Sequence, residues 1–231
     1  MTEESRFSKR EIIITGDGSS SVFLPDAEEH YHSVHGAVQE SRHVFLKSGL
    51  DEVLKRKKDV KIFEMGFGTG LNAFLTFFHV SETKDVTIDY YAIDAYPVEE
   101  EIWSKVNYSS AVNAEQAPAL YKKMHETLWG QTVFISEKFR LNKQHATLET
   151  AQLPEHYFDL IYYDAFAPRV QPELWTTAVF QKMYSILAPG GILVTYCSKG
   201  DVRRAMLAAG LSVEKIPGPP GKREMLRAKK K

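Results

Sequence analysis

The chain has 231 residues, 43% hydrophobic, 12% aromatic and 26% charged, with a net charge of −1. This is ordinary globular composition, which excludes a collagen-like or wholly disordered chain and suggests one domain with at most a small appendage. No apolar run reaches the roughly 18–20 residues that cross a bilayer. MTEESRFSKR lacks the apolar stretch of a secretory signal, and the single cysteine, Cys197, allows no disulfide framework or cysteine-based zinc site. A cytoplasmic protein is expected.

Residues 11–24 read as a β-hairpin, with β-rich runs around Asp17-Gly18 and a Ser cluster. Residues 26–47 are polar and His-rich and read as a loop followed by a helix. This front section, about residues 1–50, does not fit the pattern that follows and is expected to pack on a main domain over 51–231. From residue 60, strands and helices alternate. Val60–Glu64 is a strand, followed by a Gly-rich turn and a helix over Leu71–His79. Val86–Ile93 is a strand, helical patterns span roughly 98–128, and Phe139–Leu141 belongs to a third strand. Phe158–Tyr163 is a buried strand ending at Asp164. A helix begins near Pro172 and runs on over Glu173–Leu187. Pro189-Gly190-Gly191 is a turn, Ile192–Tyr196 a strand, and Asp201–Ala209 a helix stopped by Gly210. Leu211–Ile216 and Glu224–Arg227 are the last two strands. The pattern predicts an α/β fold with a mostly parallel sheet, whose ligands bind outside the C-terminal strand ends.

Charge is spread unevenly. Residues 199–231 hold ten Lys or Arg against three Asp or Glu. This basic end, densest in GKREMLRAKKK, either attracts phosphate backbones or is a solvated, partly frayed terminus.

Three segments carry chemistry. Glu64-Met65-Gly66-Phe67-Gly68-Thr69-Gly70 places glycines, which admit a ligand close to the backbone, between a strand and a helix N-terminus. Its G-x-G-x-G spacing differs from the G-x-G-x-x-G of dinucleotide folds. A carboxylate two residues before the first Gly repels pyrophosphate but suits a sulfonium, an ammonium or a ribose. Asp94 ends the second strand, where an acid accepts hydrogen bonds from ribose hydroxyls. Asp164 ends a buried strand in YDAFAP, facing the expected cleft. His30, His32, His35 and His43 crowd near Glu28, Glu29 and Glu40, but no helical metal-ligand pair is present, so polar packing or substrate contact is expected and no metal.

The segments QESRHVF (39–45), EMGFGTGLNAF (64–74), YYDAFAP (162–168), PELW (172–175), APGGILVTY (188–196) and GKREML (221–226) together resemble the methyltransferase half of the tRNA-modifying enzyme MnmC and its stand-alone relatives, MnmD. The resemblance implies a class I S-adenosylmethionine-dependent methyltransferase: Rossmann-like, mostly parallel with the last strand antiparallel, and here preceded by a small β-hairpin extension. It implies tRNA as partner and N-methylation of 5-aminomethyl-2-thiouridine at the wobble position, after a separate enzyme has installed that group. By motif, Glu64, Gly66, Phe67, Gly68, Gly70, Asn72, Asp94 and Asp164 line the S-adenosyl-L-methionine site, and Asp164 is the catalytic or substrate-orienting carboxylate. Relatives often place an acid against the adenine amine where this chain reads LNKQHATLE (141–149), leaving Gln144 or His145 for that contact. Tyr31, Arg42, Phe166, Pro168, Lys222 and Arg223 are expected on the substrate side. Rival expectations are a methyltransferase for another RNA or a small amine, an aminopropyl transferase of the spermidine-synthase type, and a non-catalytic nucleoside- or RNA-binding module.

Overall fold

The structure, a computed structural model, describes residues 7–81, 83 and 85–231. Residues 1–6 of the expected N-terminal extension lie outside the described residues. The front of the chain forms a small antiparallel sheet of β1 (Glu11–Ile14), β2 (Ser20–Leu24) and β3 (Glu29–His30). The expected hairpin turns at Asp17-Gly18. Asp17 Oδ1 accepts from the Ser19 amide at 3.0 Å, the local bond that lets Asp initiate a turn.

The chain then enters α1 (Ala37–Ser41), which continues without a break through a π-helical stretch, Arg42–Leu50, into α2 (Asp51–Leu54). Val44, Phe45, Leu46, Leu50 and Val53 of this run are buried in the main core, and a boundary at residue 50 falls inside it. At Gly49 a Cβ would meet Val194 and Leu160 side-chain atoms at 3.0 and 3.2 Å, so the missing side chain lets this helix lie close against the sheet.

The main sheet has eight strands. These are β4 (Asp59–Met65), β5 (Thr87–Asp94), β6 (Thr132–Ser136), β7 (Phe139–His145), β8 (Phe158–Tyr163), β9 (Leu187–Thr195), β10 (Ser212–Pro217) and β11 (Glu224–Lys229). Their order is β10-β11-β9-β8-β4-β5-β7-β6. The pairs β4–β5, β4–β8, β5–β7 and β8–β9 are parallel, and β11 lies antiparallel between β9 and β10. β8 is buried at every position because helices cover both of its faces. Its residues alternate: Leu160 and Tyr162 enter one core with Phe45, Phe74 and Phe139, while Ile161 and Tyr163 enter the other with Phe180, Met183 and Met206. The covering helices are α3 (Leu71–Ser81), α5 (Ala117–Glu126), α6 (Thr177–Ile186) and α7 (Gly200–Ala208), with a short α4 (Glu100–Trp103) after β5.

Several expectations need correction. The helical pattern over 98–128 is interrupted. Asn107 leaves helical geometry so that its side chain can accept from the Ser20 amide at 2.7 Å and donate to Gly18 O at 2.9 Å, and α5 starts afresh with Pro118 in its first turn. The single helix expected over 173–187 is a 3-10 turn, Pro172–Trp175, and a separate α6. The break is Thr176, extended, whose hydroxyl accepts from the Val179 amide as an N-cap. β9 extends through Pro189-Gly190-Gly191 as an irregularity in its pairing with β8 rather than beginning after a turn. β6 went unseen: it is an edge strand with little buried surface, antiparallel to β7, so its apolar alternation is weak.

The basic end is a structural strand and not a frayed arm. Arg227, Ala228 and Lys229 pair with β9 and β10. Lys230 is buried, and its Nζ donates to Tyr184 O (2.6 Å), Leu187 O (2.7 Å) and His156 Nδ1 (2.8 Å). Removing residues 227–231 therefore takes away most of the pairing of β11 with β9, half of its pairing with β10, and the buried Lys230. A fall in Tm of about 10 °C is expected, roughly 3 kcal/mol in a chain of this size. A truncated protein that melts at the full-length temperature would contradict this placement.

Candidate active site

The C-terminal ends of β4, β5 and β8 open into one cavity of about 310 Å³, a volume suited to a nucleoside-sized ligand. Its walls come from the glycine loop, from Asp94–Tyr96, from Asp164–Phe166, from the segment after β7 (Ala146–Glu149), and from Tyr31 and His32 of the front section.

The glycine loop is fastened from both sides. The Gly66 and Phe67 amides donate to Ile93 O at 3.1 and 3.0 Å. Behind the loop, Thr69 O accepts from the Tyr121 hydroxyl at 2.6 Å and from His125 Nε2 at 3.0 Å. Gly68 has φ +52°, and a Cβ there would sit 3.2 Å from the Tyr31 ring, so both conformation and space require glycine. Gly70 has φ +71°, and a Cβ would lie 2.9 Å from His125 Nε2. Gly70 thus faces the α5 support and does not line the cavity.

Asp94 uses both oxygens on the backbone: Oδ2 accepts from Gly68 N at 2.7 Å and Oδ1 from Tyr96 N at 2.8 Å. Burial raises its pKa, against the pull of those amides. It couples the tip of the glycine loop to the turn after β5 and lines the cavity between them.

Asp164 and Glu64 are joined through one amide. Asn72 Nδ2 donates to Asp164 Oδ2 at 2.8 Å and to Glu64 Oε1 at 2.9 Å, while Asn72 Oδ1 accepts from the Ser41 hydroxyl at 2.6 Å. The Ser41 contact fixes which way the amide faces. Glu64 is fully buried behind Asn72 and off the cavity wall, its Oε2 without a hydrogen-bond partner. Burial, opposed by the Asn72 bond and reinforced by Asp164, raises its pKa well above the carboxylate range. Asp164 lines the cavity and is pushed up to about 7, first by burial and then by the nearby charge of Glu40, with Asn72 and Lys222 acting the other way.

An aromatic roof spans the opening. Tyr31 meets Phe166 edge-on at 5.0 Å, and Phe7 stacks on Phe166 at 5.4 Å and on Tyr96 at 4.8 Å. Arg10 pins this segment by donating to Tyr96 O at 2.6 Å, to Pro97 O at 3.1 Å and to Glu99.

Of the residues expected from sequence, Gly66, Phe67, Gly68, Asn72, Asp94, Asp164, Tyr31 and Phe166 share the cavity. Others do not. Gln144 lines a separate depression with Trp129 and His145, not the cavity. Arg42 is exposed and donates to Ala111 O at 2.6 Å. Pro168 is off the wall, and Arg223 is exposed at the β10–β11 turn. Lys222 bonds to Glu40 beside the cavity. His32, for which the sequence leaves polar packing or substrate contact open, and Glu149, which it does not single out, also line the cavity. The front section folds back over the strand ends only through long-range contacts, and no local pattern reports them. Among the described residues, no three His, Cys, Asp or Glu are grouped to hold a metal.

His32 has its Nδ1 3.3 Å from the Ser21 hydroxyl, whose oxygen accepts from the His32 amide at 3.1 Å. Burial lowers the pKa of His32 to about 4 and of His125 to about 3, so both rings are neutral at pH 7. Their unfolded value is higher, near 6.5. Between about pH 6.5 and 4 the unfolded chain therefore binds more protons, and these groups make stability fall as pH falls. Asp164, raised from 3.8 to about 7, works in the opposite sense across that range. His125→Gln keeps a donor for Thr69 O and leaves Asp164 alone. The drop in Tm from pH 7 to pH 5 is expected to be smaller in this variant than in the wild type, and equal drops would refute the neutral assignment.

A parallel sheet of this order, a glycine loop after its first parallel strand and acids at two neighbouring strand ends define a Rossmann-like transferase that binds a nucleoside-containing cofactor. A family model described as S-adenosyl-L-methionine-dependent methyltransferase matches residues 113–231, and the chain belongs to that family. Its cofactor is S-adenosyl-L-methionine, and it is a methyltransferase.

Among curated proteins it is similar to the tRNA 5-methylaminomethyl-2-thiouridine biosynthesis bifunctional protein MnmC of Paraburkholderia xenovorans, 26% identical over 93% of this chain and 34% of that protein. It is also similar to the MnmC of Ectopseudomonas mendocina, 30% identical over 85% of this chain and 31% of that protein. The chain spans about a third of the length of these relatives. The crystal structure of MNMC2 from Aquifex aeolicus shares the fold, with a TM-score of 0.81 and 23% identity over 97% of this chain and 71% of that one. No helix among the described residues is long and apolar enough to cross a membrane.

Proposed function

We propose that the chain methylates the exocyclic amine of 5-aminomethyl-2-thiouridine at the tRNA wobble position, giving 5-methylaminomethyl-2-thiouridine, in the cytoplasm and after a separate enzyme has supplied the amine. The observation that carries this reading is Asp164: a carboxylate on the cavity wall, held by Asn72 and poised near neutral pH. The printed names of the relatives supply the substrate class.

The donor set fits the cofactor. Asp94 and Asp164 favour a ligand with hydroxyl, ammonium and sulfonium groups and no phosphate. Asp94 would hold the ribose hydroxyls, and the loop at Gly66–Gly68 would let the ligand approach its backbone closely. When bound, the cofactor supplies an electrophilic methyl group on a sulfonium. Only a neutral amine has the lone pair to accept it. Asp164 stabilises the positive charge that grows on the nitrogen and takes up the proton that the new secondary amine releases. A carboxyl pKa near 7 makes this acceptor stronger than an ordinary aspartate. The aromatic roof of Tyr31 and Phe166 gives a pyrimidine ring faces to stack on. Lys199 and Arg223, exposed and outside the cavity, carry charge suited to the polyanionic backbone of an RNA.

The test is mass spectrometry of wobble nucleosides after incubating the purified chain with S-adenosyl-L-methionine and tRNA from cells lacking the methyl group. A gain of one methyl on 5-aminomethyl-2-thiouridine is expected. Unchanged nucleosides with cofactor bound would overturn the substrate assignment.

A further inference from the structure

Two charged side chains from distant parts of the chain meet beside Asp164 without entering the cavity. Glu40, on α1, is 6% exposed, and Lys222 sits in the turn between β10 and β11. Lys222 Nζ donates to Glu40 Oε1 at 2.7 Å, and the Ser33 amide donates to Glu40 Oε2 at 2.7 Å. The Lys222 ammonium also lies 4.2 Å from the centre of the Tyr196 ring, and the Tyr196 hydroxyl donates to the carbonyl of Ala165, next to Asp164, at 2.9 Å. The pair thus ties α1, the end of β9 and the β10–β11 turn together on one flank of Asp164.

An ion pair in this position is a poor way to stabilise a fold. Water reaches the partly exposed Lys222 and screens the attraction, while burying Glu40 costs desolvation, so little net stability is left. Lys222 is also badly placed for an RNA phosphate, since Glu40 already holds its ammonium. What the pair does have is a target. Glu40 opposes ionisation of Asp164 and Lys222 favours it. The other titratable groups around Asp164 are Glu64 from β4, Tyr90 from β5 and Tyr196 beyond β9, with the neutral Asn72 amide from α3 bonded to it.

We propose that Glu40 and Lys222 are positioning residues for methyl transfer: their ion pair, braced by Ser33 and the Tyr196 ring, presents opposed charges to Asp164 and decides whether that carboxylate is charged when the amine arrives. This rests on the role given to Asp164 above. Neither residue touches the cofactor or the acceptor; both act through the carboxylate. Removing Glu40's charge leaves a net positive neighbour, and Asp164 ionises at lower pH. Removing Lys222's charge leaves a net negative one, and Asp164 ionises at higher pH.

The experiment compares the wild type with Glu40→Gln, Lys222→Met, Lys222→Arg and the double variant E40Q/K222M, all as the full chain. Two readouts are taken. One is kcat/KM against pH at saturating S-adenosyl-L-methionine with tRNA carrying 5-aminomethyl-2-thiouridine. The other is the carbon-13 titration of the Asp164 carboxyl in the substrate-free protein, assigned by its loss in Asp164→Asn. The midpoint is expected to move down by about one pH unit in Glu40→Gln and up by about as much in Lys222→Met, the effect of one partly screened charge several ångströms away. It should return close to the wild-type value in the double variant, and Lys222→Arg should keep it. A pair that served only as a clamp would lower Tm and leave both midpoints in place. Variants that fold, melt cooperatively and titrate like the wild type therefore overturn the proposal while leaving the proposed function standing. Full turnover by Asp164→Asn removes the proton-acceptor role of Asp164 and overturns this inference with it, whereas the absence of methyl transfer to this tRNA by the wild type overturns the proposed function. If Glu40→Gln does not fold, the shift in Lys222→Met and its absence in Lys222→Arg decide the matter.

Discussion

Asp164→Ala is expected to lower kcat by about 10²–10⁴-fold, the usual contribution of a placed proton acceptor, and to change the dissociation constant for S-adenosyl-L-methionine by no more than about threefold. The separation is expected because, in the proposed function, Asp94 and the glycine loop hold most of the cofactor while Asp164 acts at the transferred methyl. The comparison variant is Asp164→Asn. It keeps an oxygen for Asn72 Nδ2, so the Ser41–Asn72–Glu64 network stays satisfied. If Asn restored turnover, the carboxylate would be an orienting acceptor and not a base. Stability offers a second check. The Asp164 pKa of about 7 lies above its ordinary 3.8, so the folded state holds the extra proton, and stability falls as pH rises through that interval. At pH 8, Asp164→Asn should be at least as stable as the wild type, the trade expected when a site keeps a charge in a place that disfavours it. Normal turnover in Asp164→Ala, measured by single-turnover methyl transfer, would remove the assignment.

Asp94→Ala should act on binding instead. Two hydrogen bonds from ribose hydroxyls to a carboxylate are worth about 1.5–3 kcal/mol each, so the cofactor dissociation constant should rise by about 100-fold or more. The loss has a second part. Asp94 also accepts from the Gly68 and Tyr96 amides, so the alanine variant frees both the glycine loop and the turn beneath the aromatic roof. Asp94→Asn retains one oxygen but sets an amide donor against a backbone N–H, and should fall between the two. Calorimetry on the purified chain reads this directly, and an unchanged dissociation constant would end the ribose role.

Much of the site was legible because strand ends are local features. A buried run such as FDLIYY that stops at an acid, or a glycine loop between a strand and a helix, is written in consecutive residues. Asp94, Asp164 and the loop glycines could therefore be placed before any coordinates. Glu64 and Gly70 are in the same motif yet lie behind the cavity wall, because a motif fixes sequence spacing and not which side of the backbone faces the ligand. Gln144 shows the same limit: it stands at the end of β7 but lines another depression.

Sequence alone determined the alternation of strand and helix, the parallel sheet, and a glycine loop and two acids at neighbouring strand ends. These follow from hydrophobic periodicity and from residue chemistry within short windows. Tertiary structure decided the rest. It made the basic C-terminus a structural strand, brought Tyr31 and His32 over strand ends that follow them by tens of residues, and set Glu40 and Lys222, 182 residues apart, beside Asp164. Such contacts form only when the sheet closes and buried polar groups must find partners, and no window of neighbouring residues encodes that requirement.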